Sequence, residues 1–308
     1  MVGKPASCSH SSRTAAEPLA GTAPAAQAWI VLEHPGPWGR DAIADSGLAP
    51  ELVAYLTDAL RTWGVRTVLA RHDDRRHISP QEPRNVWVAS CSSSNSRGRH
   101  GILGDLREVL EWDPAAIASG QLPTMGQQIN RPWEFICTHS KRDACCATLG
   151  RRYVRDRAAK LAEEFGDQKF GPWECSHLGG HRFAPTSLFL PSGRLYGRQD
   201  QFPSFEVLGE PPAAALRGAS YLPPWEQAAD QAVREVLDLS WSTDTDVETS
   251  SAASIDGHHE QLVRVAVPDH GSWAVHCVSS TVSSPASCGA ESTTRTVWKV
   301  RDVTLDQE

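Results

Sequence analysis

Four side chains in the middle of the chain have the types and spacing of metal ligands. Cys137 and Cys146 are separated by eight residues, and His177 and His181 follow as the two ends of the run HLGGH. Two thiolates and two imidazoles can hold either a tetrahedral zinc ion or a 2Fe-2S cluster. Zinc cysteines are usually separated by about two to four residues, so the longer interval favours an iron–sulfur centre.

The elements around these residues predict how the chain positions them. WEFICT (133–138) is typical of a strand and ends near Cys137, while residues 146–165 have the apolar spacing of a helix that begins at Cys146. The paired glycines between His177 and His181 disfavour a helix and let the backbone pass close to a bulky ligand. Further strands are predicted at the following positions: 173–175, 186–191 and 194–198.

A similar order of elements precedes this region. Strands are predicted at 28–34, 65–71 and 85–90, and helices at 50–64 and 102–112. The run CSHSSR that starts at Cys8 also shares four of six residues with CTHSKR at Cys137, which hints at duplication.

The chain beyond this repeated order has a different pattern. Residues 223–239 predict a helix, residues 240–257 a flexible connection rich in Ser, Thr and Asp, and the remainder a small antiparallel sheet. We therefore expect an α/β protein with three segments: 1–125, 126–239 and 240–308.

Composition excludes several classes of function. The 308 residues are 40% hydrophobic and carry a formal net charge of -7, which argues against general nucleic-acid binding. The first thirty residues contain no apolar run of signal-peptide or membrane-span length, so we expect a cytoplasmic protein without a membrane partner. In that compartment the eight cysteines are thiols by default, which favours metal or redox chemistry over disulfides.

The runs CTHSKRDACCA and WECSHLGGHRFAPTSLFLPSGRLYGR resemble the sucrase/ferredoxin-like family, which includes fungal bis-histidine iron–sulfur proteins. The resemblance implies tandem thioredoxin-like ferredoxin units and a 2Fe-2S cluster held by Cys137, Cys146, His177 and His181. It implies a single cluster, because the N-terminal unit departs from the ligand pattern. Glu17 rather than a cysteine stands nine positions after Cys8, and charged residues rather than glycines separate His72 from His77. It also implies an electron carrier that docks with a redox partner protein. No pair of carboxylates singles itself out for sucrase activity.

The residues by themselves leave two other functions open. Cys137 and Cys146 could serve a thioredoxin-like thiol oxidoreductase, and all four ligands could hold zinc in an interaction domain. We expect His139 to be structural or to support a ligand, and Cys145 and Cys175 to be buried bystanders. The basic residues of the helix after Cys146 are either a docking surface or an ordinary solvated surface, and the second is favoured. A free imidazole nitrogen would make the redox potential depend on pH.

Overall fold

The computed structural model describes residues 7–72, 79, 82–92, 96–166, 171–202, 209–240, 242–255 and 258–306. His77 lies outside these ranges. The described residues form a mixed α/β protein with one ten-stranded sheet and one four-stranded antiparallel sheet. No helix in the described part of the chain combines the length and apolar character that a membrane span requires.

The large sheet contains ten strands, with these bounds in chain order: β1 Ala28–Glu33, β2 Val65–Arg71, β3 Arg84–Ser90, β4 Arg97–Leu103, β5 Gln127–Gln128, β6 Trp133–Cys137, β7 Trp173–Cys175, β8 Ser187–Leu190, β9 Arg194–Tyr196 and β10 Leu216–Ala219. Their spatial order is β10-β9-β8-β6-β7-β2-β1-β3-β4-β5. The α-helices have these bounds: α1 Cys8–Thr14, α2 Pro50–Trp63, α3 Pro114–Ala118, α4 Arg151–Phe165 and α5 Pro224–Leu237.

The large sheet consists of two halves with the same strand order and directions. In the first half β1 pairs parallel with β2 and antiparallel with β3, which in turn pairs antiparallel with β4. In the second half β6 pairs parallel with β7 and antiparallel with β8, which pairs antiparallel with β9. In each half a helix, α2 or α4, connects the two parallel strands. The halves join through a short antiparallel pairing of β2 with β7.

Both faces of the large sheet are covered, which explains why its central strands β1, β6 and β7 consist almost entirely of buried residues. In β1, Trp29 and Val31 face one core, whereas Ile30 and Leu32 face a second core that includes Leu52 of α2. The first core also contains Cys137, Cys146 and Cys175, so the predicted ligand cysteines lie on that face. This arrangement follows from the alternation of side chains along a strand.

The C-terminal sheet is a meander of four strands, with these bounds: β11 Asp246–Ile255, β12 His258–Val267, β13 Gly271–Pro285 and β14 Ser292–Leu305. Helix α5 covers it, with Ala229 and Val233 packed among Val263, Val265 and Val275. The predicted small antiparallel sheet is confirmed.

Two local predictions were wrong. The stretch predicted as a helix over 102–112 contains the end of β4 and a 3-10 helix, Leu106–Glu111, that begins with an Asp105 capping box. The stretch predicted as a flexible connection over 240–257 contains β11, whose polar residues pair with β12 along its length. Ser and Thr are compatible with a strand when its backbone is paired and one face is solvated.

The division into the three segments 1–125, 126–239 and 240–308 stays a prediction, because the large sheet runs without a break through the first two. Its two halves come mainly from residues 1–125 and 126–239, although β5 of the second segment pairs with β4 of the first. The assignment of both halves to tandem thioredoxin-like units stays a prediction.

Candidate metal centre

Cys137 is the last residue of β6, and Cys146 is the first residue of the helix that follows β6 in the chain. The helix begins with a π-helical turn, Cys146–Gly150, before α4 proper. A Cβ atom at Gly150 would lie 2.1 Å from the carbonyl oxygen of Cys137, so only glycine lets the turn pack this closely against the strand end. Single π turns often occur at functional sites. The local sequence therefore brings the two cysteines to the same end of β6.

The two thiols interact with each other and with His177. Hydrogen bonding by the Cys146 side chain, and then by His177, holds the pKa of Cys137 well below its usual value despite burial. The same contact with Cys137, added to burial, raises the pKa of Cys146 well above its usual value. Cys137 is 1% exposed and Cys146 is 1% exposed. The pair thus favours one buried thiolate beside an imidazole.

The two histidines lie side by side after β7. Their ring centroids are 5.2 Å apart, and the chain turns between them through Gly179 and Gly180, whose φ angles are +78° and +70°. Burial lowers the pKa of His181, which keeps its ring in the neutral form that binds metals. The structure therefore places both predicted imidazoles in one loop, with His177 in contact with the Cys137 thiol.

Buried ring nitrogens in this loop lack hydrogen bonds within the described part of the chain. They are Nδ1 of His177 and both nitrogens of His181. The Asp143 carboxylate approaches His181 Nε2 only to 3.8 Å. Buried polar atoms are normally satisfied, so these unpaired nitrogens are compatible with the binding of a metal centre.

A buried cation borders the same site. Arg217 is 1% exposed and donates to the carbonyl oxygens of Thr22 and Gly179. A Cβ at Gly180 would lie 2.4 Å from the Arg217 guanidinium, which explains the glycine there. Burial lowers the pKa of Arg217 to about 9, while Cys146 and Cys137 favour its charged form, so it is positive at neutral pH.

His177 also borders an open cleft of about 180 Å³. Arg40, Asp41 and Arg142 are among the residues that line this cleft. The site is thus mostly buried, with one imidazole near solvent.

A second group of ligand-type side chains lies next to the first, and sequence analysis did not find it. Cys8, Asp143, Cys145 and Cys288 have ligand atoms that all lie within 4.8 Å of one another. The residues come from the N-terminal helix, the loop after β6 and the turn after β13, so no spacing motif connects them. The vicinal pair Cys145-Cys146 was the one local signal.

The structure also describes the surroundings of His139, Cys175 and Cys145, the three residues expected to lie near the ligands without binding the metal. His139 is 1% exposed, donates from Nε2 to the Gly39 carbonyl oxygen at 2.7 Å, and packs edge-on against Trp38, as a structural residue does. Cys175 is fully buried and pairs in register with Cys137 on the neighbouring parallel strand. Cys145 is 5% exposed, and its sulfur lies 3.2 Å from that of Cys288, while its role as a bystander stays a prediction.

The basic helix surface is smaller than the sequence suggested. Arg151, Arg152 and Arg155 are exposed, but Arg157 is buried and forms an ion pair with Glu134 of β6 at 3.0 Å. One of the basic residues considered for docking therefore stabilises the fold.

Comparisons with known proteins agree with the family expectation. The sucrase/ferredoxin-like family model matches residues 19–205. The protein "Altered inheritance of mitochondria protein 32" of Saccharomyces cerevisiae, for example from strains YJM789 and RM11-1a, is 33% identical over 78 residues, which are 24% of this chain and 22% of the relative. The matched region thus spans about a fifth of the length of these curated relatives. No solved structure matches the chain. Because the family model covers more than half of its residues, the chain belongs to the sucrase/ferredoxin-like family.

Proposed function

We propose that this chain is an electron carrier whose 2Fe-2S cluster is bound by Cys137, Cys146, His177 and His181. The observation that carries the proposal is the meeting of two pairs: two interacting buried thiols, and two adjacent imidazoles with unpaired buried nitrogens. A two-iron centre binds two protein ligands on each iron, either two of the same type or one cysteine and one histidine. It therefore does not require four ligand atoms within reach of one ion.

The chemistry of the four residues fits such a centre. A 2Fe-2S cluster supplies one-electron oxidation and reduction when bound. Thiolate from Cys137 and neutral imidazole from His181 are the ligand forms that iron prefers, and the surrounding core excludes water. Two neutral ligands in place of thiolates reduce the negative charge at the site, which favours a milder reduction potential than in an all-cysteine centre.

The position of His177 supports electron exchange with a partner protein. Its cleft is lined by two cations, Arg40 and Arg142, and one anion, Asp41, and this positive balance favours a partner with an acidic contact surface. An imidazole nitrogen that does not bind iron can take up a proton on reduction, so we propose proton-coupled electron transfer. The proposal describes an electron carrier without catalytic residues of its own.

The equal strand orders of the two half-sheets support the proposed tandem thioredoxin-like arrangement. In that interpretation the second half carries the cluster, and the first half has the same topology without the ligand set. The first half would then serve mainly to enclose and stabilise the second.

A thiol oxidoreductase is the competing function, since the lowered pKa of Cys137 favours a nucleophilic thiolate. Burial argues against it, because a disulfide substrate must reach the attacking sulfur and Cys137 is 1% exposed. We therefore rank electron transfer first.

The cytoplasm remains the proposed compartment, because all eight cysteines are free thiols in the structure. The yeast relative's name refers to mitochondria, so fractionation of cells producing a tagged full chain should separate the two locations.

The direct test is iron, sulfide and zinc analysis of anaerobically purified protein, together with its visible spectrum. We expect about two irons and two sulfides per chain with thiolate-to-iron absorption bands. An iron-free protein with dithiol activity would favour the oxidoreductase. Absence of iron and sulfide with zinc bound by cysteine and histidine would favour the interaction domain.

Ligand identity is tested by His177→Cys and His181→Cys. Each variant should keep a cluster but lower its reduction potential, since thiolate replaces a neutral ligand. His139→Cys is the matched control and should leave the potential unchanged. Unchanged potentials in all three variants would contradict ligation by His177 and His181.

A further inference from the structure

The second group of side chains, Cys8, Asp143, Cys145 and Cys288, joins three distant parts of the chain. Cys8 begins α1, Asp143 and Cys145 lie in the loop between β6 and the helix, and Cys288 lies in the turn between β13 and β14. The first three are 0–5% exposed, and Cys288 is partly exposed. None of the four belongs to the proposed cluster ligands.

The sulfur atoms have the spacing of ligands around a single ion. The Sγ atoms of Cys8 and Cys145 are 3.5 Å apart, those of Cys145 and Cys288 are 3.2 Å apart, and those of Cys288 and Cys8 are 3.6 Å apart. With zinc–sulfur bonds of about 2.3 Å, the edge of a regular tetrahedron is about 3.8 Å. A slight expansion of the observed triangle would therefore accommodate one ion.

The fourth vertex is a carboxylate oxygen. Oδ1 of Asp143 lies 3.6 Å from Cys8 Sγ and 3.3 Å from Cys288 Sγ. An iron–sulfur cluster distributes its ligands over several irons and would need them further apart. The compactness of the group thus favours a mononuclear site.

Backbone amides hold this carboxylate in place. The amide of Cys145 donates to Asp143 Oδ1 at 2.7 Å, and the amide of Cys288 donates to Oδ2 at 2.8 Å. Ordered neighbours that fix a ligand's orientation are typical of real metal sites. Cys145 and Cys288 therefore orient the carboxylate through their amides and also supply two of the three sulfur atoms.

We propose that Cys8, Asp143, Cys145 and Cys288 bind one structural zinc ion. Three thiolates and one carboxylate complete a tetrahedral shell without an open position, which is the pattern of a structural rather than a catalytic zinc. The ion cross-links the N-terminal helix and the C-terminal sheet to the loop that carries Cys146. Because Asp143 also lies 3.8 Å from His181, the zinc site stabilises the wall of the proposed cluster site.

The test is zinc analysis and zinc X-ray absorption on the full chain, produced with iron and zinc and purified anaerobically. We expect about one zinc per chain, with three sulfurs at about 2.3 Å and one oxygen at about 2.0–2.2 Å. A zinc shell containing histidine nitrogen would locate the ion at the other site and overturn the proposal. So would a disulfide among the three cysteines, seen as loss of thiols in the wild-type protein.

Cys8→Ser and Cys288→Ser should each reduce bound zinc at least about fivefold, since a hydroxyl replaces a thiolate ligand. Cys277→Ser is the matched control, because Cys277 is a fully buried thiol of β13 whose sulfur contacts only the Trp225 carbonyl among the described hydrogen bonds. Zinc retained by the first two variants would overturn the proposal. If either variant does not fold, the absorption spectrum of the wild-type protein still decides the outcome.

Iron content separates this proposal from the proposed function. Loss of zinc from Cys8→Ser with iron retained supports two independent sites. Loss of iron with zinc retained would make Cys8 part of the iron site and contradict the zinc assignment. Wild-type protein that binds zinc through three sulfurs but no iron would support the zinc site while the electron-carrier function fails.

Discussion

The two halves of the large sheet have the same strand order, yet they end their central strands with different chemistry. β1 ends at Glu33, which is 1% exposed and accepts hydrogen bonds from the backbone and side-chain amides of Asn85. β6 ends at Cys137, which faces Cys146 and His177. Topology therefore provides a position at the strand end, and the residue type placed there decides whether it serves structure or chemistry.

The connections that follow these strands differ in the same way. Residues 34–49 join β1 to α2, whereas residues 138–145 join β6 to the π-helical turn at Cys146. The shorter connection brings the start of a helix against the strand end, and Gly150 allows that contact. The comparison predicts that matched substitutions should have unequal effects in the two halves.

The largest expected difference concerns iron. Cys146→Ser should reduce bound iron from about two per chain to nearly none, because a hydroxyl is a poor substitute for a thiolate ligand. Cys91→Ser makes the same chemical change at a buried thiol of the first half and should leave iron unchanged. Iron and sulfide analysis of both variants decides the result. Equal iron in the two variants would mean that Cys146 is not a ligand.

The next difference concerns the ion pairs of the two helices. Arg157 of α4 pairs with Glu134 in the interior, where their side chains are 6% and 7% exposed, whereas Arg61 of α2 pairs with Asp58 on the surface. Arg157→Met leaves a buried carboxylate without this partner and should cost about 3–5 kcal/mol. Arg61→Met should have little effect on the free energy of unfolding, because an exposed ion pair contributes little to stability. Denaturant unfolding at neutral pH measures the free energy of unfolding of both variants. Similar losses in the two variants would contradict the prediction that the buried pair matters more.

A smaller difference concerns close packing. Gly150→Ala would force a methyl group against the Cys137 carbonyl and should destabilise the fold by about 1–3 kcal/mol. Gly104→Ala in the first half meets nothing closer than 3.7 Å and should have little effect. Thermal unfolding of the two variants tests this. A Gly150→Ala variant as stable as Gly104→Ala would show that the strand end and the π turn can separate at little cost.

Sequence patterns predicted most of the large sheet because its strands are short runs rich in apolar and β-branched residues between turn residues. The predicted strands at β1, β2 and β6 are of this kind, and the structure confirms each of them. The sequence patterns failed where hydrogen bonding to a neighbouring strand determines the backbone conformation. β11 is polar and becomes a strand because β12 lies beside it, which local composition does not encode.

The candidate ligands show the same limit. HLGGH is a local motif, so the adjacency of its histidines could be predicted from spacing. The resemblance of the runs at Cys8 and Cys137 does not reflect equivalent positions, because Cys8 begins a helix and Cys137 ends a strand. The approach of Cys8 to Cys145 and Cys288 depends on long-range folding, which no short motif encodes.

The pH dependence of the reduction potential provides a further comparison of the halves. If an imidazole at the site binds a proton on reduction, reduction is easier at low pH, so the potential should fall as pH rises, by at most about 59 mV per unit. His177→Cys should flatten this slope. His100→Gln in the first half should not, although burial lowers the pKa of His100 as it lowers that of His181. Voltammetry from acidic to alkaline pH tests the prediction, and a flat wild-type profile would contradict proton coupling.

The smallest expected effect concerns the buried cation beside the site. Arg217 interacts favourably with negative charge on Cys146 and Cys137, and reduction adds one more negative charge there. Arg217→Met should therefore lower the potential, by an amount on the order of 50 mV, about one tenfold step in a one-electron equilibrium. Arg66→Met is the matched change in the first half, where the guanidinium lies over Trp29 at 5.9 Å, and it should leave the potential unchanged. Equal shifts of the reduction potential in the two variants would mean that the effect of a positive charge does not depend on its distance from the site. A shift found only in Arg217→Met would assign the electrostatic control of the potential to the half of the sheet that carries the site.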